Sequence, residues 1–233
     1  MTGDFSVVFA LYPRVTQLDF TAPFEIFARL PRARCVLASV EGVPIQGDGG
    51  ITFAGVVRLA DVEACELLCV PGGFGTVAAM EDLAYLSELE RLAAKAQFVT
   101  SVCTGSLLLA AAGLLRGRRA ACHWAWRELL ANFGVTPDPA RIVRDGNIIT
   151  GGGVTAGIDM ALAVMAEIAG VDYAQVVQLA LEYSPEPPFD SGRPELARPE
   201  IVAAALKRLD AIRVERSAAV GRAADRMLKA QPA

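Results

Sequence analysis

The chain has 233 residues, a hydrophobic fraction of 53% and a formal net charge of −4. Those values supply a sizeable core and exclude a bulk electrostatic affinity for nucleic acid or an anionic membrane. No apolar run reaches the ~18 residues of a membrane span, and the start MTGDFSVVFALYP lacks the basic region and cleavage site of a signal peptide.

Phe5 to Leu11 is a near-continuous apolar run with β-branched residues, which predicts a buried strand of a parallel sheet. Leu18 to Leu30 follows as a helix with Phe20, Phe24, Phe27 and Leu30 on one face and Pro23 in its first turn. Cys35 to Val40 predicts a second strand, and the Gly-rich stretch from Gly42 to Val57 a β-hairpin excursion. Glu66 to Val70 is a further strand running into Pro71-Gly72-Gly73-Phe74-Gly75. Asp82 to Gln97 is an amphipathic helix.

Phe98 to Leu115 is the stretch that carries most information. A β-branched run stops at Cys103, and helix formers begin after Thr104, Gly105 and Ser106. A strand, a sharp turn and a helix in that order make a nucleophile elbow with sulfur in place of oxygen. Free N–H groups at the helix start favour a thiolate there, so a lowered thiol pKa is expected. Beyond it, Ala120 to His123 predicts a short strand and Ala125 to Phe133 a helix ending at Gly134. Ile142 to Arg144 and Asn147 to Ile149 flank the turn signal Asp145-Gly146. Gly151, Gly152 and Gly153 lead into a helix from Gly157 to Ala169, and their small size suggests packing beneath the elbow helix. A helix from Tyr173 to Tyr183, a Pro-rich loop and an amphipathic helix from Ile201 to Lys229, with a possible break at Gly221, complete the chain.

Strands alternating with helices predict a single α/β domain over residues 1–233, a mostly parallel sheet flanked by helices, with a helical tail from about residue 200. Ligands in such folds bind at the C-terminal rim of the sheet. Asp19 falls on that rim, where its carboxylate either caps the helix or acts as a general acid/base beside the thiol. The glycines of the 71–75 turn offer backbone N–H groups for developing negative charge, or simply a tight turn. Five cysteines (35, 65, 69, 103 and 122) form no paired framework, which points to a reducing compartment such as the cytoplasm. With one histidine, His123, no metal-ligand cluster is expected. The sequence cannot place His123 near the sulfur, and Trp124 and Trp126 suggest an aromatic cluster in a core or interface.

Together QLDFTAPFEIF, VPGGFG, TSVCTGSLLLAAAGLLRGRRAACHWA, DGNIITGGGVTAGID and LEYSPEPPF resemble the ThiJ/PfpI superfamily, in particular its isocyanide (isonitrile) hydratase branch. The resemblance runs from residue 17 to 189. It implies a flavodoxin-like sandwich, a homodimer, no cofactor, and hydration of an isocyanide to an N-formamide. By motif position it makes Cys103 the nucleophile, Asp19 its acid/base partner and Thr104 a polar residue beside the sulfur, with Gly73, Phe74 and Gly75 lining the substrate or binding its developing charge. Ala22, Phe74 and Cys122 depart from the pattern, where Gly, a smaller residue and Thr are expected. Thr104 stands where peptidase-like members carry His, which counts against proteolysis. Rival readings are a glyoxalase-type activity or a cysteine redox sensor or chaperone.

Overall fold

A computed structural model of the protein describes residues 4–229. Strand β1 (Phe5–Ala10) leads to helix α1 (Gln17–Phe27) and β2 (Ala33–Ser39). Two short strands, β3 (Ile45–Gln46) and β4 (Thr52–Phe53), form the expected hairpin, and β5 (Val57–Arg58) returns to pair with β2. Then come β6 (Leu67–Val70), α2 (Thr76–Ala79), α3 (Leu83–Ala93), β7 (Phe98–Val102) and the elbow helix α4 (Gly105–Ala111). The second half holds β8 (Arg119–Ala120), a 3-10 helix (Arg127–Phe133), β9 (Thr136–Pro137), β10 (Ile142–Asp145) and β11 (Ile148–Gly151). Helices α5 (Ala156–Ala169), α6 (Val171–Ala180) and α7 (Pro199–Lys229) finish it.

Seven strands make one sheet in the order β10-β11-β7-β6-β1-β2-β5. Only β10 runs antiparallel to its neighbour. The central strands β6 and β7 are buried throughout, which is why their sequences are unbroken apolar or small runs rather than alternating ones. Helices α1, α5 and α6 pack together, and α2, α3, α4, α7 and the 3-10 helix form a second group. This is the flavodoxin-like sandwich, with a mostly parallel sheet between helices. Because β1, β6 and β7 are parallel neighbours, the turns that follow them open on the same rim of the sheet.

Three local expectations need correction. The strand expected at Ala120 to His123 is only Arg119–Ala120, paired with β9 in a separate two-stranded sheet, and residues 121–123 are irregular. The helix expected at Ala125 to Phe133 is a 3-10 helix over Arg127–Phe133, closed by Gly134 at φ +70°. Gly221 does not break α7, which continues through Lys229. Among the described residues no helix is long and apolar enough to cross a membrane.

Candidate active site

Cys103 follows β7 directly and has a φ of +59°, a left-handed conformation that costs a non-glycine residue about 1–3 kcal/mol. Neighbouring backbone holds it there. Its N–H is shared between the carbonyls of Gly151 at 3.1 Å and Gly152 at 2.7 Å. The Gly151–Gly153 run thus anchors the elbow as well as packing near it. Gly105 is forced, since a Cβ there would sit 2.0 Å from the Val70 carbonyl oxygen. The result is an abrupt strand-to-helix turn that presents the sulfur at the rim.

Asp19 lies in the first turn of α1 and is fully buried. Its carboxyl does not cap its own helix. Oδ2 accepts the Gly72 N–H at 2.9 Å, across from a different strand end. Oδ1 has no partner at ordinary hydrogen-bond geometry. The Cys103 thiol is nonetheless close enough to act on this carboxyl as a donor, a loose contact of the kind that tightens only when a reaction proceeds.

The Gly72–Gly75 turn holds these two groups together. Gly72 must lack a side chain, because a Cβ would fall 2.5 Å from Thr104 N, 2.6 Å from Thr104 Oγ1 and 2.8 Å from Asp19 Oδ2. The Gly73 N–H donates to Thr104 Oγ1 at 3.0 Å, and the Gly75 N–H to the Arg14 carbonyl at 3.0 Å. Both of these donors are therefore engaged within the protein. The turn fixes Thr104 and Asp19. The N–H that acts on the sulfur belongs to Thr104, at the start of α4.

Cys103 and Thr104 open on a cleft of about 280 Å³ that also includes Phe74, His123, Trp126 and Arg216. A larger apolar cavity, about 400 Å³, lies on the far side of Phe74 and contains no part of the elbow. Size alone would favour that cavity, but the reactive groups open on the smaller one. Phe74, 39% exposed, borders both, with the Arg14 guanidinium 5.9 Å from its ring centroid. His123, which the sequence left unplaced, shares the cleft with Cys103. Burial lowers its pKa to about 4, so its ring is neutral at pH 7. Trp126 is buried in the core, with the Arg216 guanidinium over its ring.

The electrostatics correct one expectation. Cys103 is 6% exposed, and its pKa is raised well above that of a free thiol. Burial is the main cause, followed by the Asp19 carboxyl and Cys122. The Thr104 N–H and Arg216 pull the other way but do not prevail. The inference from the helix start alone assumed solvent beside the sulfur, and desolvation outweighs the dipole here. Asp19 is the complementary case, with burial raising its pKa to about 7 against the opposing Gly72 and Cys103 hydrogen bonds. At neutral pH the resting pair is a thiol beside a half-ionised carboxyl.

This has a stability consequence. Unfolded, Asp19 loses its proton near pH 4; folded, near 7. Folding takes up a proton between those values, so this group's contribution falls as pH rises through the window and stays low above it. Asp19→Asn removes the effect. Denaturant melts should show little difference at pH 4 and a stabilised variant at pH 8, by up to about 4 kcal/mol. Equal stability at both values would contradict the buried, raised carboxyl.

The sequence profile of the DJ-1/PfpI family matches residues 5–167. A protein of Pseudomonas putida named isonitrile hydratase is 48% identical over 200 residues, covering 86% of this chain and 88% of that protein. Among solved structures, a ThiJ/PfpI family protein from Pseudomonas syringae superposes with a TM-score of 0.89 at 36% identity, covering 95% of this chain and 91% of the other. Drosophila melanogaster DJ-1beta shares the fold at a TM-score of 0.69 and 22% identity, covering 77% of this chain and 98% of its own. A core, an elbow and a family profile that all coincide over the same residues have one conclusion: the chain belongs to the DJ-1/PfpI family.

Proposed function

We propose that this protein is an enzyme that hydrates isocyanides to N-substituted formamides, without a cofactor, through a covalent thioimidate on Cys103. The observation that carries the reading is the buried Asp19 carboxyl against the Cys103 thiol, in a chain nearly half identical to an isonitrile hydratase. An isocyanide carbon is soft and has one neighbour, which suits a sulfur nucleophile.

The steps balance as follows. The Cys103 thiol passes its proton to the Asp19 carboxylate, and the sulfur lone pair forms a bond to the isocyanide carbon. Asp19 returns that proton to the same carbon, giving R–N=CH–S–Cys103. Water adds across C=N, placing its hydroxyl on carbon and a proton on nitrogen. The C–S bond then breaks, its electrons return to sulfur, and the hydroxyl proton passes by way of Asp19 to that sulfur as the carbonyl forms. The thiol is restored and R–NH–CHO departs. Thr104 orients the carboxyl or the attacking water, and Gly73 and Gly75 set the wall that Phe74 caps.

The reading includes a homodimer with the site near the subunit contact, which light scattering tests as a mass of twice 24.6 kDa. It also includes a cytoplasmic setting, consistent with five free cysteines. One hydrophobic cluster joins residues from β1 to α7, which supports a single domain. Formamide release from a simple aryl isocyanide by purified protein tests the activity. Lactate from methylglyoxal with no formamide would favour the glyoxalase reading instead. Thr104→Val should slow turnover by ~10-fold or more while the fold persists, because it strands the Gly73 N–H without an acceptor and removes a hydroxyl from the site. Unchanged turnover in that variant would remove Thr104 from the mechanism.

A further inference from the structure

One charge beside the site has no countercharge in hydrogen-bond contact. Arg216 projects from α7 and is 3% exposed. Buried arginines are ordinarily paired with a carboxylate. The partners here are neutral. Nη2 donates to the Gly73 carbonyl at 2.8 Å and to Thr76 Oγ1 at 3.0 Å. The guanidinium lies 4.4 Å from the centroid of the Trp126 ring, and Nε is buried with no acceptor.

The groups around it narrow what it can serve. Tyr12 and Cys122 are near enough to interact, but burial raises both and keeps them neutral. His123 is neutral as well. Glu215, the preceding residue, acts on Arg216 only through space, behind Cys103, Tyr12 and Cys122, and borders the large cavity beyond Phe74 rather than this cleft. Asp48 borders the cleft but accepts the Thr16 hydroxyl at 2.5 Å. Asp19 accepts the Gly72 N–H. Neither carboxylate is among the groups acting on Arg216, and the foremost of those that are is Cys103, in the same cleft, which becomes an anion only during reaction.

We infer that Arg216 is the built-in countercharge of the Cys103 thiolate and, through its bond to the Gly73 carbonyl, the clamp on the turn that holds Thr104. The inference rests on reading Cys103 as the nucleophile. When the thiol proton moves to Asp19, the negative charge moves from carboxylate to sulfur. A guanidinium in the same cleft, with no carboxylate in hydrogen-bond contact, stabilises that second arrangement. The same residue joins charge to geometry, since the Gly73 peptide binds Thr104 through its N–H and Arg216 through its carbonyl.

The test is iodoacetamide labelling of Cys103 against pH in Arg216→Gln and Arg216→Lys, followed by mass spectrometry of the Cys103 peptide. Arg216→Gln should shift the labelling inflection upward by on the order of one unit and slow labelling below it by roughly tenfold. Arg216→Lys keeps the charge and should recover most of the loss. A folded Arg216→Gln protein with the native profile, or equal shifts in both variants, would overturn the inference. If Arg216→Gln does not fold, the native protein decides. Iodoacetate is an anion, so its rate relative to iodoacetamide should be several-fold higher at Cys103 than at free cysteine. An equal or lower ratio would overturn it. Neither measurement uses an isocyanide, so a failure of the hydratase reading leaves this result separately legible.

Discussion

Cys103→Ala abolishes isocyanide hydration while leaving circular dichroism unchanged. The expected loss is to the background rate, because no second nucleophile is positioned on the same elbow. Cys122 is buried outside the cleft on which Cys103 opens, and its chain segment is irregular rather than held at a strand end. The fold should persist, since alanine meets the same φ of +59° that cysteine already tolerates, and the N–H bonds to Gly151 and Gly152 involve only backbone. Formamide release by a folded Cys103→Ala protein at a measurable fraction of the native rate would dismiss the sulfur as nucleophile.

Asp19→Asn should lower kcat by ~10²–10⁴, the usual worth of a positioned acid/base. The structure strengthens the reason. With a thiol whose pKa is raised by burial, no standing thiolate is available, so a neighbouring base must take the proton at the moment of attack. Asp19, with a pKa of about 7, is matched to that task near neutrality and can return the proton to carbon. The pH dependence follows with its sign. Below pH 7 the carboxyl is protonated and cannot accept, so kcat/KM should fall with unit slope as pH drops. Above 7 it should level off, until the pair loses its remaining proton. In Asp19→Asn the acid limb should vanish along with most of the rate. A variant with native kcat and an intact limb would assign the proton transfer elsewhere.

The framework was legible in the sequence because burial leaves unbroken apolar runs. Phe5 to Leu11 and Glu66 to Val70 have no polar face to alternate, and each is a central strand of the sheet. The elbow was legible because a β-branched run meeting small residues and then leucines allows few backbone paths. Asp19 could be set on the same rim as Cys103 for a topological reason: short connections after parallel strands emerge on one edge.

What was missed depended on contacts distant in sequence. His123 reaches the cleft through residues 121–123, which belong to no strand, so strand order could not locate it. The thiol pKa was misjudged because burial at 6% exposure comes from packing of the whole site, while the helix start is a local feature. Short elements such as α2 lack enough residues to show a period. Arg216 did leave a signal. It falls between Ile212 and Ala219, Val220 and Ala223, all buried, so a lone cation sits on the apolar stripe of α7. A charge in that position demands a buried partner, and the α7 pattern alone could have marked it.

The most direct test mixes purified protein with a slight excess of an aryl isocyanide, quenches in acid within the first turnover, and weighs the intact chain. The account predicts a transient mass increase equal to one isocyanide, mapped to Cys103, decaying as formamide appears and absent from Cys103→Ala. Formamide released by the native protein with no adduct at any quench time, and at the same rate by Cys103→Ala, would contradict it.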